Sequence, residues 1–267
     1  MTSSHHDWLP VDLKGKTAVV CGSTQGIGFS AGQHLAGLGA RVILVARNAE
    51  RLNQALEQLT EPGRHATVEA DFSQPNQVKE AIEKIVQNEP VHILINNTGG
   101  PPSGPIAAAE VQAFQNAFEQ HLICNHILAQ AVLPSMKASG YGRIINVIST
   151  SVKQPLANLG VSNTIRGAVA NWAKTWANEV GAFGITVNNV LPGATETTRL
   201  DQIVQAKAAK TGKPEDEIRA EMASAVPLKR TGLPEEVGRA IAFLASPSAS
   251  YISGINLPVD GGRTSSL

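Results

Sequence analysis

Short apolar runs alternate with longer amphipathic stretches through most of this 267-residue chain. Thr17–Cys21 and Arg41–Ala46 are brief and rich in β-branched residues, which is typical of buried strands. Val78, Ile82 and Ile85, in contrast, recur at helical spacing. Strands that alternate with helices predict a parallel sheet covered on both faces. We therefore expect a doubly wound α/β fold.

The pattern predicts seven strands with helices between them. The predicted strands are Thr17–Cys21, Arg41–Ala46, 65–70, 92–96, 142–148, 186–191 and Asn256–Val259. The predicted helices are 26–38, 48–59, 74–88, 110–139, 158–183 and Pro234–Ala245. A helical insertion at 200–225 is too small for its own core, so we expect a lid over a site within about 198–226.

Composition limits the function classes. The net charge is zero without a long basic run, so no nucleic-acid or membrane partner is expected. Residues 1–12 are predicted to be a flexible leader without a signal peptide, and 13–267 a single domain. The sequence contains no run of about 18 apolar residues, so no membrane span is expected. Cys21 and Cys124 lie among apolar residues, which favours buried thiols in the reducing cytoplasm.

A glycine-rich turn, Gly22-Ser-Thr-Gln-Gly26-Ile-Gly28, follows the first predicted strand and opens the first helix. Such glycines let the backbone approach a pyrophosphate, which the helix N-terminus attracts. The alternative is a strand–helix turn without a ligand. The second strand ends at Arg47, where an NAD site would place an acid. Arg47 therefore favours NADP(H) over NAD(H), unless it is only a solvated loop charge.

Further segments carry a family resemblance. They are Asn96-Asn97-Thr98-Gly99, the run 142–149 ending in Ser149, Pro192-Gly193-Ala-Thr195 and Asp260-Gly-Gly262. With the glycine turn, they resemble the short-chain dehydrogenase/reductase family over Gly22 to Gly262. The resemblance implies a single-domain Rossmann fold whose parallel seven-stranded sheet has the order 3-2-1-4-5-6-7.

The resemblance also implies a set of cofactor contacts. The corresponding residues are Gly22, Ser23, Thr24, Gln25, Gly26, Ile27, Gly28, Arg47, Asp71, Phe72, Asn97, Thr98, Gly99, Arg166, Pro192, Gly193 and Thr195. In the family, the residue at Asp71 contacts the adenine; its alternative is a cap for the helix that follows. The two long helices, 110–139 and 158–183, form dimer faces in the family, which implies a homo-oligomer, either a dimer or a tetramer.

The catalytic pattern of the family is altered here. The family places a Tyr thirteen residues after a Ser and a Lys four residues later; this chain has Ser149, Ser162 and Arg166. This substitution resembles a divergent, 3-oxoacyl-[acyl-carrier-protein] reductase-like branch that lacks the Tyr-x-x-x-Lys motif. An aliphatic hydroxyl is a weaker acid than a phenol, and Arg stays protonated. The usual proton donor is therefore missing.

Three replacements for that donor stay open. His121 lies at or near the position of the family Asn, and an imidazole titrates near neutrality. Lys153 lies in the loop after Ser149, and water is the third source. Tyr141 is predicted at the opposite sheet edge, and Tyr251 is expected to pack.

Two functions are consistent with the sequence. The first is an NADP(H)-dependent oxidoreductase that reduces a carbonyl, possibly 3-oxoacyl, substrate whose identity is unknown. The alternative is a non-catalytic NADP(H)-binding sensor or scaffold. No Cys or Asp cluster accompanies the histidines, so no metal site is expected.

Overall fold

The structure is a computed structural model that describes residues 10–266. Most of the predicted leader therefore lies outside the described residues. Within the described part, Leu13 is fully buried, and the carbonyl oxygen of Pro10 accepts a hydrogen bond from the Ser248 hydroxyl at 2.8 Å. Among residues 10–266, no helix is both long and apolar enough to span a bilayer.

The sheet confirms the predicted α/β class and strand order. Seven strands lie in the order β3-β2-β1-β4-β5-β6-β7, and all neighbours are parallel. The strands are β1 Thr17–Cys21, β2 Arg41–Ala46, β3 Ala66–Glu69, β4 Ile93–Asn96, β5 Gly142–Val147, β6 Ile185–Pro192 and β7 Asn256–Val259. All their carboxyl ends therefore open onto one edge of the sheet.

Helices cover both faces of the sheet. They are α1 Gly26–Gly37, α2 Ala49–Leu56, α3 Pro75–Asn88, α4 Val111–Phe118, α5 Cys124–Ser139, α6 Gly160–Val180, α7 Thr198–Thr211, α8 Glu215–Ser224 and α9 Pro234–Ala245. Leu35 of α1 and Ile241 of α9 pack on one face of the sheet. Ile82 of α3 and Leu128 of α5 pack on the other face. Two apolar layers thus enclose the strands.

Several predicted helix limits were wrong. The predicted helix 110–139 is divided by a π-helical turn, Glu119–Ile123, between α4 and α5. The predicted helix 158–183 begins at Gly160, because Asn158 adopts a left-handed φ of 59°. Its end tightens into a 3₁₀ turn, Gly181–Phe183. A π turn adds one residue to a helix turn, which hydrophobic periodicity does not reveal.

A ladder of four asparagines, three of them buried, crosses four strands. The Asn96 side-chain amide donates to Asn146 at 2.8 Å, Asn146 donates to Asn189 at 2.9 Å, and Asn189 donates to Asn256 at 2.8 Å. These residues are register partners on adjacent strands. The ladder ties together the strand ends from which the loops of the site depart.

The ladder should contribute measurably to stability. Asn146→Ala leaves its partners on β4 and β6 without their bonds, so we expect unfolding to become easier by about 2 to 4 kcal/mol. Urea denaturation measures this change. Asn53→Ala, on the exposed surface of α2, is the control and should shift stability by less than about 0.5 kcal/mol. Equal effects of the two substitutions would contradict a structural role for the ladder.

Candidate active site

A cavity of about 890 Å³ lies at the carboxyl edge of the sheet. Its walls come from the glycine turn, the Asn97–Gly99 turn after β4, the segment after β5, the amino-terminal part of α6 and the segment after β6. Helices α7 and α8 contribute residues such as Ile203 and Met222. The predicted insertion therefore does border the candidate site.

The glycine turn packs closely against the loop after β4, at a distance that leaves no room for a side chain at Gly22 or Gly28. A Cβ on Gly22 would lie 2.5 Å from the carbonyl oxygen of Asn97. A Cβ on Gly28 would lie 2.3 Å from the carbonyl oxygen of Gly22. The Asn97 side-chain amide donates to the same Gly22 carbonyl at 3.2 Å. The backbone of the turn is thus packed against the Asn97 loop, while Gly22, Gln25, Gly26 and Ile27 line the cavity.

Other predicted cofactor residues lie beyond the cavity wall. Arg47 is exposed at the end of β2 and makes no hydrogen bond or ion pair with residues 10–266. Ser23 is buried, and its hydroxyl donates to the Val45 carbonyl. Phe72 is 6% exposed and belongs to the core. The Asp71 carboxylate accepts from the Ser73 amide at 2.9 Å, so it closes a turn before α3 and does not cap that helix.

Ser149, Ser162 and Arg166 all line the cavity. The Ser149 hydroxyl oxygen accepts from the Ser151 amide at 3.1 Å, which leaves its proton free to donate. Arg166 is only 8% exposed and donates to the Val147 carbonyl at 3.1 Å. Burial, with a further contribution from Arg199, lowers the pKa of Arg166 to about 10. Arg166 is therefore a charged hydrogen-bond donor at neutral pH.

His121 is not suited to the acid–base role considered from the sequence. It is 1% exposed and lies in the π turn, where its Nδ1 is 2.6 Å from the Thr98 hydroxyl. It is absent from the described cavity lining, whereas Thr98 is present. Burial, followed by the charge of Arg166, lowers its pKa to about 2. His121 is neutral at physiological pH and positions Thr98 from behind the wall.

The remaining candidate donors also lie elsewhere. Lys153 is half-buried and is not among the described residues that line the cavity. Tyr141 donates to the Ala245 carbonyl at 2.5 Å and contacts the α9 side of the core. The expectation that Tyr251 packs was wrong, because its side chain is fully exposed. None of the side-chain donors considered from the sequence is therefore among the described residues that line the cavity.

Sequence reasoning missed Arg199. It is the second residue of α7, lines the cavity and donates to the Pro101 carbonyl at 2.7 Å. A cation at a helix N-terminus opposes the helix dipole, so its position there is unfavourable for the helix itself. That unfavourable position, shortly after the Pro192–Thr195 segment, is the signal in the sequence that could have identified Arg199 as a functional residue.

The depressed pKa of His121 predicts a pH dependence of stability. Below about pH 6.5 the unfolded chain binds a proton there, but the folded chain does not until about pH 2. Stability is therefore complete above about pH 6.5 and falls as the pH is lowered. Between pH 7.5 and 5, we expect this group to account for about 2 kcal/mol in urea unfolding. His121→Asn should remove that part of the slope, with His126→Gln as the matched control; an unchanged slope in His121→Asn would reject this assignment.

Comparisons with known proteins agree with this architecture. Residues 22–264 match the family model described as enoyl-(acyl carrier protein) reductase. The chain is 33% identical to 3-oxoacyl-[acyl-carrier-protein] reductase FabG of Vibrio cholerae, covering 94% of this chain and 98% of that protein. It is 29% identical to the NADPH-dependent reductase BacG of Bacillus subtilis, covering 96% and 100%.

A solved structure shows the same arrangement. L-sorbose reductase from Gluconobacter frateurii, complexed with NADPH and L-sorbose, superposes with a TM-score of 0.90 at 30% identity. The match covers 97% of this chain and 100% of the other. The strand order, the family model and these relatives lead to one conclusion: the chain belongs to the short-chain dehydrogenase/reductase family, with similarity to its FabG-like branch.

Proposed function

We propose that this protein is an NADP(H)-dependent oxidoreductase that reduces a carbonyl substrate, with 3-oxoacyl compounds as one candidate class. The observation that carries the proposal is the cavity, which joins the glycine turn to Ser149 and Arg166. The relatives named as NADPH-dependent or NADPH-bound reductases support the choice of cofactor. Free Arg47 at the end of β2 supports it independently, as a partner for a 2′-phosphate.

Different residues of the chain would bind different parts of NADP(H). The amides of Gly22–Gly28 and the start of α1 hold the pyrophosphate, and Arg47 binds the 2′-phosphate. Asp71 and Phe72 border the adenine, whereas Thr98, Gly99, Pro192, Gly193 and Thr195 border the nicotinamide half. When bound, NADPH supplies hydride to the carbonyl carbon.

Ser149 and Arg166 then act on the substrate oxygen. The Ser149 hydroxyl donates a hydrogen bond to it, and the buried guanidinium of Arg166 stabilises the negative charge that develops there. Ser162 lies on the same helix face and orders a water. That water gives its proton to the alkoxide, which completes the alcohol, and the resulting hydroxide takes a proton from bulk solvent. Chemistry therefore relies on electrostatic stabilisation instead of a tuned phenol.

We also propose a homo-oligomer, as is usual in the family. A surface groove between α5 and α6 is lined by the half-buried rings of His126, Trp172 and Trp176. The ring centres of His126 and Trp176 are 5.9 Å apart. A second copy of this face would cover those rings. The buried free thiols of Cys21 and Cys124 support a cytoplasmic location.

Arg47 should determine cofactor preference. Arg47→Asp removes the charge-assisted bonds to the 2′-phosphate and adds repulsion, so NADPH should bind about 10- to 100-fold more weakly. The affinity for NADH, which lacks that phosphate, should change much less. Tryptophan fluorescence titration measures both affinities. Arg239→Asp, exposed on α9, is the control; a parallel loss of both cofactors in Arg47→Asp would argue against this role.

Ser149 should determine the rate of hydride transfer. Stopped-flow oxidation of NADPH over a panel of ketones and 3-oxoacyl thioesters should show turnover, which Ser149→Ala slows about 100-fold without weakening NADPH binding. Ser139→Ala, at the end of α5, is the matched control. The double variant Ser162→Tyr, Arg166→Lys restores the family motif and should be faster than wild type. Tight NADPH binding without turnover on the whole panel would instead support a sensor or scaffold.

A further inference from the structure

The charge of the cavity lining has one sign. The described lining residues include the cations Arg166, Arg199, Lys207, Lys210 and Arg263, and no aspartate or glutamate is among them. This excess contrasts with the zero net charge of the whole chain. A low-dielectric cavity lined by one sign of charge concentrates ligands of the opposite sign.

Two of these cations converge on one point beside the chemical site. A Cβ placed on Gly100 would lie 3.6 Å from a terminal nitrogen of Arg199 and 3.9 Å from one of Arg166. Arg166 comes from α6, and Arg199 comes from the lid helix α7. The absence of a side chain at Gly100 keeps the space in front of both guanidinium groups open.

Neither guanidinium has a counter-ion in the described chain. Their only hydrogen bonds within residues 10–266 go to backbone carbonyls, those of Val147 and Pro101. Lys207, in contrast, forms an ion pair with Glu221 at 2.8 Å. Burial lowers the pKa of Arg199, as it does that of Arg166. Buried charges without partners are costly, so the pair is suited to an anion that enters the cavity.

We propose that Arg199, beside Arg166, binds a carboxylate of the substrate, so that the protein acts on oxoacids. The inference rests on the proposed reductase function, because it concerns the substrate of the same site. Guanidinium groups match the planar carboxylate through paired N–H donors. Leu156, Leu159 and Met222 line the same cavity and suit a short aliphatic chain.

The position of Arg199 favours the substrate over the cofactor as the anion. The glycine turn and α1 provide a separate phosphate site, and Arg47 provides another. Arg199 lies instead on the lid, next to the loop that contains Pro101. A carboxylate bound there joins the lid to the fixed wall, since Arg166 belongs to α6. Binding an oxoacid would therefore hold α7 in place during reduction.

The experiment compares each acid with its uncharged ester. We choose 4-oxopentanoate and 5-oxohexanoate with their methyl esters, and measure kcat/KM with NADPH. The wild-type enzyme should prefer each acid by about tenfold or more. Arg199→Gln should lower kcat/KM for the acids about tenfold and for the esters less than about twofold. Arg239→Gln removes the same charge outside the cavity and should change neither.

A binding measurement separates this inference from the reductase proposal. Hexanoate and hexanamide are titrated calorimetrically into the protein, with and without NADP⁺. Hexanoate binding that Arg199→Gln weakens about tenfold, without turnover of any ketone, would support the carboxylate site and reject the reductase. Turnover with equal use of acids and esters, unaffected by Arg199→Gln, would retain the reductase and overturn the site. The carboxylate site would also be overturned if Arg199→Gln weakened NADPH binding as much as hexanoate binding, because Arg199 would then serve the cofactor.

Discussion

The parallel direction of all seven strands determines where this protein can carry out chemistry. Each strand ends at the same edge of the sheet, so the loops after β1, β4, β5 and β6 meet around one cavity. Two polar contacts fix their spacing. The asparagine ladder joins β4 to β7, and the Asn97 side chain bonds to the carbonyls of Cys21 and Gly22. The neighbouring loop therefore supports the glycine turn from behind.

Arg166 changes the character of the site that this edge supports. Where the family has a lysine paired with a phenol, this chain buries a guanidinium against the Val147 carbonyl and keeps a small hydroxyl at Ser162. A second guanidinium, Arg199, approaches from the lid. Loss of the phenol removes an acid, and the two arginines add positive charge. The two guanidinium groups therefore place positive charge at the cavity.

The sequence predicted the larger features because they depend on repeated patterns. The α/β class followed from the alternation, and the strand order followed from the family resemblance that the motifs at the strand ends carry. Features that depend on single contacts could not be predicted from the sequence. The π turn directs His121 into the protein, where burial lowers its pKa to about 2. A sequence pattern does not show that a side chain is buried, so His121 was predicted as a candidate acid–base group.

Arg199 is a second feature that the sequence pattern did not predict. Its helix position is locally unfavourable, yet only the fold brings it beside Arg166 and Gly100. Residues far apart in sequence thus form this part of the site. The segment that was predicted as a lid thus contributes an arginine to the cavity lining.

A crystal structure with NADP⁺ tests the central claim most directly, because the claim concerns which residues surround the cofactor. The account predicts pyrophosphate on the Gly22–Gly28 amides and a 2′-phosphate within hydrogen-bonding distance of Arg47. It also predicts a nicotinamide ring that faces Ser149, with Arg166 beside it. A cofactor bound elsewhere, or a nicotinamide ring turned away from Ser149 and Arg166, would contradict the account.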